Sequence, residues 1–296
     1  MTSGPMIAGI ELGGTKCVLL LAEGPSAVHA RHVIRTTTPD ETLAAIEETL
    51  DPWRFDAIGI ASFGPLDLDP ASAEFGAITA TTKPGWTGTG LRQRLRARYR
   101  VPLAIQTDVN GAALAEARWG AARGMDAHAY ITIGTGVGVG IVVGGRPVHG
   151  VTHAEAGHMR VPRVAGDDYA GRCVFHGDCV EGLIAGPALA ERFGMPGAEI
   201  PDGDPRWAWF VHDLTGLLHN LVVTLAPQRI AVGGGVVAER PFLFPMLRES
   251  LGRSIGGYGS LDAYCVELDD RLGPPGLGDM AGPLGAIAMG LEALGE

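Results

Sequence analysis

The sequence predicts an α/β protein made of two similar halves facing each other across a cleft, and three observations carry that expectation. Strand-length apolar runs alternate with helix-spaced segments along the chain. One unit, a strand, a turn of Gly and Thr, and a second strand, occurs near the start and again near the middle. The 296 residues, 46% hydrophobic and 19% charged, hold enough apolar material for one large or two ordinary cores.

Met6 to Ile10 and Cys17 to Leu21 are apolar runs joined by E-L-G-G-T-K, a hairpin whose turn is Gly13-Gly14. Adjacent glycines let backbone N–H groups approach an anion, while Thr15 offers a hydroxyl and Lys16 a charge, so the turn is a candidate phosphate site. A Gly-Gly hairpin without a ligand is common. Thr38-Pro39-Asp40-Glu41 starts a helix whose apolar face is Leu43, Ile46 and Leu50. Asp56 to Ser62 is a strand ending in Phe63-Gly64-Pro65, and Leu66 to Trp86 is a loop rich in turn-forming and hydroxyl residues, of the kind that serves a site.

Leu91 to Tyr99 is a short basic helix, and Pro102 to Gln106 a strand delivering T-D-V-N to an Ala-rich helix that runs to about Trp119. Asp108 therefore sits between a strand end and a helix start, where open α/β sheets bind ligands. It reads as a functional carboxylate or simply as an N-cap. Ala127 to Ile133 is a strand, then G-T-G-V-G-V-G, then Ile141 to Val143 before the Gly144-Gly145 turn. The eighteen uncharged residues from His128 to Gly145 are a strand pair rather than a membrane span, since Gly recurs at every second position.

Further on, Gly186-Pro187 opens a helix through Phe193, Trp207 to Leu225 has helical spacing, and Arg229 to Val232 is a strand closed by Gly233-Gly234-Gly235. A helix over Pro241 to Leu251, a strand over Tyr264 to Leu268 and a final helix from Pro283 to about Leu294 complete the expected elements.

The formal net charge of −10, with no basic run, excludes a nucleic-acid partner and an anionic membrane surface. The opening M-T-S-G-P-M-I-A-G-I-E-L has no positive n-region and meets Glu11 early, so the expected location is the cytoplasm. Four cysteines, with Cys17 and Cys265 inside apolar runs, fit a reducing compartment. Of 23 basic residues only Lys16 and Lys83 are lysine, and only Asn110 and Asn220 are asparagine.

The segment from His153 to Glu181 has its own chemistry. Cys173-x-x-His176-x-x-Cys179, with His158 upstream, offers four ligands at zinc-module spacing, and a set with no open position favours a structural, tetrahedral zinc. The alternative is that Cys173 and Cys179 are core residues or a disulfide. Folding this loop brings Glu155 and Glu181 toward one place, as acceptors for a polyol or as a solvated pair.

Taken together, E-L-G-G-T-K, T-D-V-N before a helix, I-G-T-G-V-G-V-G, E-A-G-H, the Cys/His cluster and I-A-V-G-G-G-V-V resemble the ROK family of sugar kinases over nearly the whole chain. Within it, G-I-A-S-F-G-P-L-D with T-T-K-P-G-W and C-x-x-H-x-x-C is similar to the bacterial zinc-containing fructokinases. The resemblance implies an actin-like, ribonuclease-H-like (hexokinase-type) fold of two α/β domains: residues 1–112 completed by a C-terminal helix over 283–296, and residues 113–282 with the zinc loop.

It further implies ATP-dependent phosphorylation of D-fructose, with magnesium accompanying ATP, a structural zinc and a homodimeric assembly. Asp108 matches the general base. Gly13, Gly14, Thr15 and Lys16 match one phosphate loop, and Gly134, Thr135 and Gly136 the other. Pro187 and Gly233, Gly234, Gly235, Val236 and Val237 match positions lining the nucleotide. Gly64, Pro65, Glu155, His158 and Glu181 match positions near the sugar, with His158 also the first metal ligand. Two departures, Thr107 for a commoner Asn and Glu11 for a commoner Asp, weigh against a glucose-specific assignment.

Overall fold

A computed structural model describes residues 4–295, so the ends of the expected N-terminal segment and C-terminal helix, residues 1–3 and 296, lie outside the described residues. The first sheet contains β1 (Ile7–Leu12), β2 (Lys16–Gly24), β3 (Ala27–Arg35), β4 (Ala57–Ser62) and β5 (Leu103–Thr107), in the order β3-β2-β1-β4-β5. The second contains β6 (Ala127–Ile133), β7 (Val137–Val143), β8 (Arg146–Pro147), β9 (Arg229–Gly233) and β10 (Leu272–Gly273), in the order β8-β7-β6-β9-β10. Position by position the two orders coincide. β1 pairs antiparallel with β2 and parallel with β4, as β6 does with β7 and β9. The repeated unit seen in the sequence is thus the front of two equivalent sheets.

Local chemistry explains the elements. The central strands β1 and β4 are buried almost throughout, as expected of parallel strands covered on both faces. The edge strand β3, absent from the sequence expectation, is broken up by His29, Arg31 and His32, and such side chains protect an open edge. Helix α1 (Pro39–Leu50) is capped by Thr38, whose hydroxyl accepts from the Glu41 N–H, and buries Leu43, Ile46 and Leu50. The basic helix α2 (Leu91–Arg98) buries Leu91 and Leu95. In the second half, α4 (Val180–Ile184), α5 (Gly186–Phe193), α6 (Trp207–Leu225) and α7 (Leu243–Ile255) share one large core with β6, β7 and β9.

One expected element is wrong. Tyr264 to Leu268 is not a strand; the chain forms α8 (Leu261–Val266) and α9 (Leu268–Arg271), and the strand follows as β10. Tyr264 and Leu268 are buried, Leu261 packs partly against the same core, and Val266 is 83% exposed, a helical spacing that the apolar letters alone concealed.

Two helices join the halves. α3 (Asp108–Trp119) follows the last strand of the first sheet yet lies against the second, and α10 (Ala281–Leu294) follows the last strand of the second sheet yet lies against the first. Glycines permit both approaches: a Cβ on Gly140 of β7 would stand 2.1 Å from the Val109 carbonyl oxygen, and one on Gly59 of β4 only 1.8 Å from that of Ala286. The helices touch each other where Gly285 meets Gly111. The swap fixes the start of α3, and with it Asp108, between the two sheets.

Candidate active site

Thr107 caps α3, its Oγ1 accepting the Asn110 N–H at 3.3 Å, so the alternative reading of Asp108 as the N-cap is corrected. Asp108 occupies the first helical position, and its Oδ1 accepts the Val109 N–H at 2.9 Å. Burial pushes its carboxyl up to about 6 against that hydrogen bond, and the charge of Glu155 adds to the rise. Glu11, at the end of β1, is also driven upward by burial and then by Asp108, to about 7, with Lys16 and Arg31 pulling the other way. Its carboxylate lies so close to the first turn of α10 that a Cβ on Gly282 would clash with it.

The residues expected near the sugar come from both halves. Pro65 follows Gly64 through a cis peptide bond. The next residue, Leu66, donates its N–H to Nε2 of His153 at 3.1 Å. With Nε2 an acceptor, the proton of the neutral imidazole sits on Nδ1, facing Glu155 Oε1 at 3.4 Å. Burial lowers the His153 pKa and favours this neutral form. His153 was not among the expected site residues; its place two positions before Glu155 was the available signal.

His158, Cys173, His176 and Cys179 converge as their spacing implies, with four ligand atoms within 4.8 Å of one another. His158 Nδ1 lies 3.6 Å from Cys173 Sγ and 3.5 Å from Cys179 Sγ, and His176 Nδ1 lies 3.6 Å from Cys173 Sγ. Tetrahedral bonds of about 2.1 Å to N and 2.3 Å to S would place neighbouring ligands about 3.6 Å apart, so the donor set and its geometry fit zinc. Both cysteines are free rather than bridged. The loop has a second anchor: buried Arg192 pairs with Asp167 at 2.6 Å and with Asp213 at 2.8 Å.

Glu181, expected near the sugar, also reaches the second Gly/Thr turn. One oxygen accepts the Val137 N–H at 3.1 Å beside Gly136, and the other stands 3.9 Å from His158 Nδ1. It therefore ties the metal-ligand cluster to the second Gly/Thr turn.

That turn meets two other expected nucleotide segments. Gly186, next to Pro187 at the start of α5, donates to the Gly134 carbonyl at 2.7 Å, and Val236 donates to the Ile133 carbonyl at 3.0 Å. Gly234 requires φ +89° with Ile133 packed against it, whereas Gly134 and Gly235 have open space. A Cβ on Gly233 would stand 3.0 Å from Pro275 and 3.5 Å from the Tyr130 hydroxyl. The first turn is closed by Gly13 N–H to the Lys16 carbonyl at 3.0 Å and fastened to Thr36 through Thr15 and Gly13. A pocket of about 780 Å³ near Arg96, Arg100 and Glu292 lies at the opposite end of β5 from Asp108.

Comparison with known proteins identifies the family. The model of the ROK family matches residues 7–293. A fructokinase of Pediococcus pentosaceus is 40% identical over 98% of this chain and 99% of its own length, and a fructokinase of Zymomonas mobilis is 37% identical over 96% of each. The crystal structure of a ROK hexokinase from Thermus thermophilus superposes with a TM-score of 0.77 at 27% identity, covering 98% of this chain and all of that one.

Proposed function

The chain belongs to the ROK family, and from that premise we propose that it is an ATP-dependent fructokinase that transfers the γ-phosphoryl group of ATP to the 6-hydroxyl of D-fructose. The observation that carries this is the 40% identity to a fructokinase over nearly the whole of both chains. The site geometry supplies a mechanism.

A carboxyl with a pKa of about 6 is mostly ionised at neutral pH yet basic enough to take a proton, which suits Asp108 as the general base. As the sugar oxygen bonds to phosphorus, its proton passes to Asp108 and the bridging oxygen leaves with its electron pair on ADP. The rest is positioning and charge neutralisation. Backbone N–H groups of the Gly13–Lys16 and Gly134–Gly136 turns, together with Lys16, face the phosphates, and Gly234 to Val237 with Pro187 hold the nucleotide. Magnesium bound with ATP supplies further neutralisation.

Glu155, His158 and the Gly64-Pro65 segment orient fructose, and Glu181 supports the second phosphate turn. His158, Cys173, His176 and Cys179 would hold a zinc ion with a structural role, leaving no ligand position for chemistry. We divide the chain into residues 1–112 with 283–296, and residues 113–282, moving about α3.

No helix among the described residues is long and apolar enough to cross a membrane. The free thiols support a cytoplasmic setting, and the assembly this reading implies is a homodimer. A coupled assay with ATP and magnesium across fructose, mannose, glucose and N-acetylhexosamines tests the function. Fructose should give the highest kcat/KM; preference for another hexose would replace the substrate, and no transfer to any hexose would remove the kinase reading.

A further inference from the structure

Lysine is scarce in this chain, and both copies stand at the Gly13–Lys16 turn. Lys16 belongs to the turn itself, and its charge is felt by Glu11. Lys83 comes from the long loop between β4 and α2, 69 positions from Gly14 in sequence, yet its Nζ donates to the Gly14 carbonyl at 2.5 Å.

The placement is built rather than incidental. Trp86, fully buried, donates its indole N–H to the Thr37 carbonyl at 2.9 Å and meets Phe63 edge to face at 5.2 Å. Thr79 donates to the Pro65 carbonyl at 2.8 Å, and the Lys83 N–H is held by the Thr81 hydroxyl at 3.3 Å. The segment carrying Lys83 is thus pinned at one end to the Gly64-Pro65 turn and at the other beside the strand that backs the phosphate turn.

No carboxylate pairs with Lys83 among the described residues, although the chain carries a net charge of −10 and many of its arginines are paired. An ammonium has three donors, and Gly14 takes one. A Cβ built on Gly14 would meet nothing within 4 Å, so the turn leaves open space for an anion on that side. A compact, freely rotating cation can exchange a carbonyl for phosphate oxygens, which a rigid guanidinium fork does less readily.

We propose that Lys83 is a catalytic residue of the transfer step, its ammonium turning from the Gly14 carbonyl to the oxygens of the γ-phosphoryl group and neutralising the charge that builds there. This rests on the kinase reading. In the step, the bond from the sugar 6-oxygen to phosphorus forms, the bond from phosphorus to the β,γ-bridging oxygen breaks with its electron pair going to ADP, and the sugar proton goes to Asp108. Lys83 stays protonated throughout.

The test uses Lys83→Met, which keeps length and removes charge, and Lys83→Arg, which keeps charge. Loss of one pre-organised donor at a charge-developing atom costs about 10²- to 10³-fold in kcat. Lys83→Met should show that loss with the fructose KM within threefold and the melting temperature unchanged, and Lys83→Arg should recover part of it. Retention of kcat by Lys83→Met, or a rise in the ATP KM alone, overturns the inference.

A second measurement covers the case of a misfolded variant. With only two lysines, acylation of the native protein read by mass spectrometry reports each one separately; a non-hydrolysable ATP analogue with magnesium should protect Lys83, and unchanged labelling overturns the inference. A wild-type protein that phosphorylates no hexose would sink the kinase reading, whereas an active wild type with an equally active Lys83→Met would sink this inference alone.

Discussion

Glu181 accepts the Val137 N–H at 3.1 Å only two residues after Cys179, so one carboxylate joins the metal-ligand cluster to the Gly134–Gly136 turn. In the proposed function, the cluster would thereby support the phosphate side of the site as well as the sugar side.

Cys179→Ser should accordingly raise both the fructose and the ATP KM, several-fold each, and abolish stoichiometric zinc in metal analysis. The melting temperature should fall by roughly 5–10 °C rather than collapse, at roughly 2–4 °C per kcal/mol for a chain of this order, because the Arg192 ion pairs still hold the loop. Active wild-type protein without zinc would remove the claim.

His153→Ala leaves the Leu66 N–H without its acceptor, a loss of about 1–3 kcal/mol for a buried donor. The fructose KM should rise about tenfold with the ATP KM within twofold, since Leu66 adjoins the Gly64-Pro65 turn and His153 also faces Glu155. His153→Gln, whose side-chain oxygen can reach the Nε2 position, should restore most of it. Equal changes in both KM values would show a general structural effect instead.

Gly59→Ala tests the contact between the halves. The added methyl would meet the Ala286 carbonyl at 1.8 Å, backbone against backbone, so β4 and α10 must part. Overpacking costs about 1–3 kcal/mol and more where backbone must move, and a denaturation midpoint close to wild type would contradict the described packing.

The overall architecture was legible because the two Gly/Thr hairpins and the Thr38 and Gly186-Pro187 helix starts depend on local residue chemistry. Edge strand β3 was not, since its histidines and arginine mask the alternation, and Tyr264–Leu268 was misread because a short apolar run suits strand or helix alike. At the site, Asp108 and the Cys/His ligands declared themselves by spacing. The placements of His153, Glu181 and Lys83 depend on contacts 87, 44 and 69 residues apart in sequence, which no local pattern encodes.

The pH dependence follows from Asp108. Its folded pKa, about 6, lies above the ordinary 3.8, so the carboxylate destabilises the fold. The penalty is absent below 3.8, grows between 3.8 and 6, and is complete above. The log of kcat should fall with unit slope as pH drops below about 6, where the base becomes protonated. A flat profile down to pH 5 would assign the proton to another group.

The central claim is that Asp108 is the base, and Asp108→Asn tests it most directly. The amide oxygen can still accept the Val109 N–H, and Thr107 still caps α3, so the variant should fold. Its melting temperature at pH 8 should equal or exceed that of wild type, because a buried charge has gone, with no gain at pH 3.8. Fructose should still bind in calorimetric titration. In the coupled assay with ATP and fructose, kcat should fall by about 10²- to 10⁴-fold. A folded, fructose-binding variant that keeps kcat within a few-fold of wild type would contradict the account.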